Sequence, residues 1–126
     1  MNLDSNEWRK EIEYSIPGGW WIRFGEQMCD EIENCLKGLP AGAIKNFQIL
    51  EVKEKFGRIR IYTNWETKEL KDVIRKYEDL SIRTCIACGA PATKISTSWI
   101  GGWCDEHAEP GDIPINQYLV DSIKEV

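Results

Sequence analysis

Cys85-Ile86-Ala87-Cys88-Gly89, completed downstream by Cys104-Asp105-Glu106-His107, is the stretch that decides how this chain is read. Each half carries two soft donors three positions apart, a spacing at which one tight turn presents both to the same ion. Zinc takes four nitrogen or sulfur ligands in a tetrahedron, so Cys85, Cys88, Cys104 and His107 are read as one zinc site. Cys85 and Cys88 are expected in a turn whose backbone N–H groups point at the first sulfur, with Gly89 where that turn needs a residue without a Cβ. Residues 92–96 and 99–103 are expected as two short strands. Cys104 then opens a helix or helical turn that carries His107 on the same face, where a helix N-terminus would favour its thiolate. Four protein ligands leave no place for water, which implies a single structural zinc. The competing reading, unrelated buried cysteines, does not account for two correctly spaced pairs in one short segment.

Outside this stretch the chain reads as one domain with a small metal-bound part. It has 126 residues, a formal charge of -5 and a pI near 5.0. An acidic balance argues against an all-over nucleic-acid surface but leaves room for a local basic patch. Five cysteines would leave one over from any complete disulfide framework. The first residues show no basic region followed by an apolar core, and no apolar run approaches membrane-spanning length. Together these imply a reducing cytoplasm, where paired cysteines bind metal.

Working back from the metal segment, Leu70, Val73, Ile74, Tyr77 and Leu80 recur at helical spacing and predict a helix over 67–81, with Asp72 and Lys76 as an i, i+4 pair on its exposed side. Two strands precede it in a hairpin over 47–63. Leu50 and Val52 share one face of the first strand; Ile59 and Ile61 point inward from the second, with Arg58, Arg60 and Tyr62 outward. Gly57 supplies the positive φ of the connection. Trp21, Phe24, Met28, Ile32, Cys35 and Leu36 predict an amphipathic helix over 20–37, capped by Gly38, with Glu26, Asp30, Glu31 and Glu33 on the wet face. Residues 39–45 read as a linker. Residues 1–16 fit either a helical turn, through Trp8 and Ile12, or a short strand, through Ile12, Tyr14 and Ile16. After a turn at Glu109-Pro110-Gly111-Asp112, the tail over 109–126 carries Tyr118, Leu119, Ser122 and Ile123, spaced for a short last helix. Gly-Gly-Trp occurs at 18–20 and again at 101–103; nothing around the copies matches, and the repeat reads as coincidence.

Other chemistry is thin. His107 is the only histidine, so a metal role for it leaves no imidazole to activate Cys29 or Cys35 and removes Cys–His and Ser–His–Asp schemes. Ala87 stands where a zinc deaminase needs its glutamate. Cys29 and Cys35 read as core packing. Lys53, Lys55, Arg58 and Arg60 beside Phe56 and Tyr62 fit either the solvated outer face of a hairpin, the reading preferred here, or a track for a phosphate backbone. Trp99 and Trp103 flank a two-glycine turn. They read either as an exposed protein-binding tip, or as one ring on the metal knuckle and one on the preceding helix.

The order of knuckle, hairpin and second ligand pair over 83–108 resembles the treble-clef or zinc-ribbon class of zinc fingers. Over roughly residues 18–108, the run from Val52 to Tyr62, the helix after it, Ser81-Ile82-Arg83-Thr84-Cys85, Cys88-Gly89 and Gly102-Trp103-Cys104 resemble a group of small bacterial and bacteriophage-encoded proteins. That resemblance implies a phage or prophage setting and brings no activity with it.

The expectation is therefore an α+β fold: a core over 1–82 with an antiparallel hairpin and two amphipathic helices, then a zinc-binding subdomain over 83–108 and a tail. The expected function is non-catalytic. It is a cytoplasmic zinc protein that binds another protein through Trp99, Trp103, Lys55, Arg58 and Arg60, as a phage-encoded regulator or inhibitor of a host defence protein. The alternatives are nucleic-acid binding through residues 53–60 and an unrecognised enzyme.

Overall fold

A computed structural model describes Met1, Leu3 and residues 7–124, with side chains through Asp121. In chain order it has α1 (Glu7–Ser15), α2 (Gly18–Trp20), a π-helical turn (Trp21–Gly25), α3 (Glu26–Lys37), α4 (Ala41–Asn46), β1 (Ile49–Lys55), β2 (Arg58–Thr63), α5 (Lys68–Ile82), β3 (Lys94–Ser96), β4 (Gly101–Trp103), β5 (Ile113–Pro114) and α6 (Ile115–Lys124). The class is α+β: β1 and β2 form an antiparallel hairpin, and a second small sheet runs in the order β4-β3-β5. Among the described residues no helix is long and apolar enough to cross a membrane.

Of the two readings of the N-terminal segment, the described residues take the helical one over Glu7–Ser15. Trp8 and Ile12 are buried one turn apart on α1, while Tyr14 stands in solvent. The segment expected as one helix over 20–37 begins two residues earlier, at Gly18, and runs through the π-helical turn. A π turn is wider than an α turn, so side chains four apart come closer to alignment. Trp20 and Phe24 accordingly point into the core with their rings 6.4 Å apart, and Trp21, expected on the apolar stripe, is only half-buried. The turn also needs Gly25, because a Cβ there would lie 2.1 Å from the Trp21 ring. Residues 39–45 are not a linker throughout. Pro40 caps α4, its carbonyl accepting from Ala43 and Ile44, since its fixed φ suits the entry to a helix.

The hairpin turns through Phe56 and Gly57, with φ of 53° and 80°, and Lys55 pairs directly with Arg58. Two positive φ values in a two-residue loop are the geometry that matches strand twist. Phe56, not only Gly57, thus adopts the left-handed conformation. Leu50 departs from expectation: it is 59% exposed, while Ile49 and Val52 are buried. The register shifts between Ile49 and Glu51, so a β-bulge turns Leu50 outward and leaves its two apolar neighbours inward. Ile59 and Ile61 complete the inner face as expected, and α5 covers it.

α5 begins where Thr67 caps it, its hydroxyl accepting from the Leu70 N–H at 3.1 Å, and buries Leu70, Ile74, Tyr77 and Ile82. Lys76 does not pair with Asp72. It reaches across to Glu31 of α3 at 2.6 Å. The acidic face of α3 is likewise not simply wet: Arg9 of α1 lies among Glu26 at 3.2 Å, Asp30 at 2.9 Å and Glu33 at 2.6 Å. The last helix forms as expected, with Tyr118 and Leu119 half-buried; the Ser122 and Ile123 side chains lie outside the described residues.

The Lys76–Glu31 contact gives α3 and α5 a pH-sensitive joint. Burial pushes the Glu31 carboxyl up, but the Lys76 ammonium, with Tyr77 beside it, outweighs burial and holds it below its ordinary value. Neither Glu31 Oε2 nor the Tyr77 hydroxyl has a hydrogen bond of good geometry among the described residues, so Lys76 is the partner that matters. A carboxylate with a lowered folded-state pKa adds stability above its unfolded value near 4.3, and that stability disappears as pH falls through the folded value. Glu31→Gln should therefore cost up to about 1 kcal/mol at pH 7 and almost nothing near pH 3, read as denaturant midpoints at the two pH values.

Candidate metal centre

The four predicted ligands come together. Their donor atoms all lie within 4.8 Å of one another. Cys88 Sγ is 3.7 Å from Cys104 Sγ, His107 Nδ1 is 3.8 Å from Cys85 Sγ, and His107 Nδ1 is 3.1 Å from Cys104 Sγ. Zinc–sulfur bonds of about 2.3 Å and zinc–nitrogen bonds of about 2.0–2.1 Å require tetrahedral edges of roughly 3.5–3.8 Å. Cys85, Cys88, Cys104 and His107 therefore fit a single zinc ion, and the segment is zinc-finger-like.

Local chain geometry explains how the first pair reaches the ion. Burial pushes the Cys85 thiol up, but the backbone N–H groups of Cys104, Cys88 and Ala87 aimed at its sulfur bring it down to about 7. The Ala90 N–H acts in the same sense on Cys88; desolvation and the neighbouring sulfurs of Cys104 and Cys85 outweigh it and leave that thiol raised. Sulfurs this close resist joint ionisation unless a cation lies between them, and a divalent metal supplies that charge. Gly89 has φ 84°, which closes the knuckle, and its N–H donates to the Cys85 carbonyl at 3.0 Å.

The second pair takes the turn, not the helix, of the two alternatives expected. Cys104 to His107 is a turn, closed by the His107 and Ala108 N–H groups donating to the Cys104 carbonyl, and no helix follows until Ile115. Pro110 and the positive φ of Gly111 stop a helix from forming there. The chain instead returns as β5, which pairs with β3. The strands of the finger are also shorter than 92–96 and 99–103, at Lys94–Ser96 and Gly101–Trp103.

The knuckle is gripped by the two Gly-Gly-Trp segments, so the repeat is not a coincidence of composition. The Gly19 N–H donates to the Ile86 carbonyl at 2.9 Å, and the Ile86 N–H donates to the Gly102 carbonyl at 3.0 Å. A Cβ on Gly19 would sit 2.2 Å from the Cys85 carbonyl oxygen, and one on Gly102 would sit 2.6 Å from that of Ile82. Sequence reading missed this because glycine signals close approach without naming what approaches.

The other expected site residues are dispersed. Trp99 is 52% exposed; Trp103 is half-buried and donates from Nε1 to Ser96 Oγ at 3.0 Å. Both line one shallow groove with His107. Lys55 lines a second groove with Phe56 and Trp99. Arg58 and Arg60 belong to neither, being held by Asp79 at 3.5 Å and Glu78 at 3.4 Å on α5. These pairs compensate a cross-strand register that sets Lys53 opposite Arg60 and Lys55 opposite Arg58.

Metal analysis of the purified protein should find about one zinc per chain, lost in Cys85→Ser or Cys104→Ser. Chelation should cost the finger on the order of 10 kcal/mol of folding free energy, seen as loss of protection of the 85–107 amides from hydrogen exchange. Gly19→Ala, which alters no ligand side chain, should lower the unfolding midpoint by several degrees and speed zinc transfer to a chromogenic chelator, because the added methyl has only knuckle backbone to meet.

Set against known protein families, curated proteins and solved structures, the chain matches none of them.

Proposed function

We propose that the protein is a non-catalytic zinc-binding module that acts by binding another protein. Its setting is bacterial or host cytoplasm, as a phage-encoded regulator or inhibitor of a host protein. One observation carries this reading. Phe56 is 63% exposed and holds φ 53°, and across a groove of about 310 Å³ stands Trp99, 52% exposed. A left-handed conformation costs a residue with a Cβ roughly 1–2 kcal/mol, and Asn or Gly would fill this turn with less strain. An exposed ring recovers little of that cost in the free protein. A partner that covers both rings would recover it, and large aromatics are the side chains that most often anchor protein interfaces.

The remaining nucleophiles support a non-catalytic role. Burial pushes the Cys29 thiol up to about 12 and also raises Cys35, so both stay neutral at cytoplasmic pH. Nucleic-acid binding through the hairpin is the weaker reading, because Lys53 is paired with Glu51 at 3.3 Å and Arg58 and Arg60 are paired with α5.

Phe56→Asn separates folding from binding. It should raise the stability of the free protein by about 1 kcal/mol in thermal or denaturant unfolding while weakening partner retention at least tenfold. Trp99→Ala should weaken retention to the same degree with little change in stability. A partner held equally by both variants, or neither partner nor self-association in native mass measurements of the wild type, would sink the proposal.

A further inference from the structure

A depression of about 540 Å³ lies elsewhere, between the free edge of β2 and α5. β2 pairs only with β1, so its other edge carries no strand. Backbone groups of alternate residues in an antiparallel strand point to opposite sides. The Ile59 N–H points away from β1, because it donates to Ser81 Oγ at 2.9 Å, and Ile61 and Thr63 follow it in the same sense. Ser81 thus blunts one end of the edge, and the stretch facing the depression is left open. Ile61 and Ile74 form the apolar floor and Trp65 one end. On the rim, Lys71 and Arg75 lie one helical turn apart on α5, and neither takes part in an ion pair among the described residues. Arg9, Lys53, Arg58, Arg60, Lys76 and Arg83, by contrast, are held in ion pairs. Of the two acids in the depression, Glu78 is already held by Arg60.

We infer that this edge binds an extended acidic peptide, which adds to β2 as a third strand. The backbone of Ile61 and Thr63 would exchange hydrogen bonds with it, apolar residues at alternate positions would rest on Ile61 and Ile74, and flanking carboxylates would meet Lys71 and Arg75. Strand addition takes affinity from main-chain bonds and selectivity from alternate side chains, as this arrangement of edge, floor and rim requires. The site is separate from the Phe56–Trp99 groove and stands or falls without it.

The test uses the zinc-loaded full chain and a blocked peptide whose Val-Thr-Val centre is flanked by two Asp at each end, followed by amide NMR. The Ile61 and Thr63 amides should shift on titration, and the Ile61 amide should gain protection from hydrogen exchange. Binding should weaken at least tenfold when alternate peptide nitrogens are methylated, which removes donors without touching charge. Lys71→Glu with Arg75→Glu should weaken it at least tenfold and favour the matching Lys-flanked peptide; both side chains are exposed, so the fold is retained. Equal binding of the methylated peptide, equal binding of the Lys-flanked peptide by the wild type, or shifts that avoid Ile61 and Thr63 would each overturn the inference. Tighter binding of an oligothymidine at the same amides would overturn it in favour of nucleic acid.

Discussion

The peptide group of Ile86 is the point on which the rest of the structure bears. Its carbonyl accepts from Gly19 at the start of the long helical segment, and its N–H donates to Gly102 in the finger hairpin. Both neighbours must be glycine: a Cβ on Gly19 would meet the Cys85 and Ile86 carbonyls of the knuckle, and one on Gly102 would meet the Ile82 carbonyl at the end of α5. One residue between two metal ligands thereby joins the helical layer to the finger through main-chain bonds alone. An ion held at Cys85 and Cys88 would act directly on Gly19, and the π-helical turn begins two residues further on. Gly89 reinforces the grip from the other side, with its Cα facing the Gly19 carbonyl.

A second junction places the surface. Gly57 at the hairpin tip lies against Ile82 at the end of α5 and Ile100 in the finger turn, with no room for a Cβ. The chain cannot turn there without pressing Gly57 inward and leaving Phe56 at the outer corner. Trp99, next to Ile100, then faces Phe56 across the groove. The two exposed rings are close because the tip is wedged between helix and finger, although they lie far apart in sequence.

Electrostatics follows the same division between internal use and display. Several cations of this acidic chain lie at seams between elements: Arg9 ties α1 to α3, Lys76 ties α5 to α3, and Arg58 and Arg60 tie the hairpin to α5. A cluster of basic residues in the sequence is therefore a poor guide to positive surface here. Charges read as a wet helix face or a phosphate track turn out to join neighbouring elements, because each seam needs its like charges compensated.

The sequence by itself determined the ligand set, since the spacing of Cys85, Cys88, Cys104 and His107 is a local matter of which turns can present two donors. It also determined the stripe of α5, the hairpin and the C-terminal helix, each encoded in a short window of periodicity or turn chemistry. Register and phase were not legible in the same way. The bulge that expels Leu50 and the π turn that exchanges Trp21 for Trp20 each depend on what lies across the interface. Only the tertiary structure decided that the two Gly-Gly-Trp segments close on one knuckle and that Phe56 meets Trp99. A glycine or a turn records the permission to approach, and the partner that uses the permission is chosen by long-range packing.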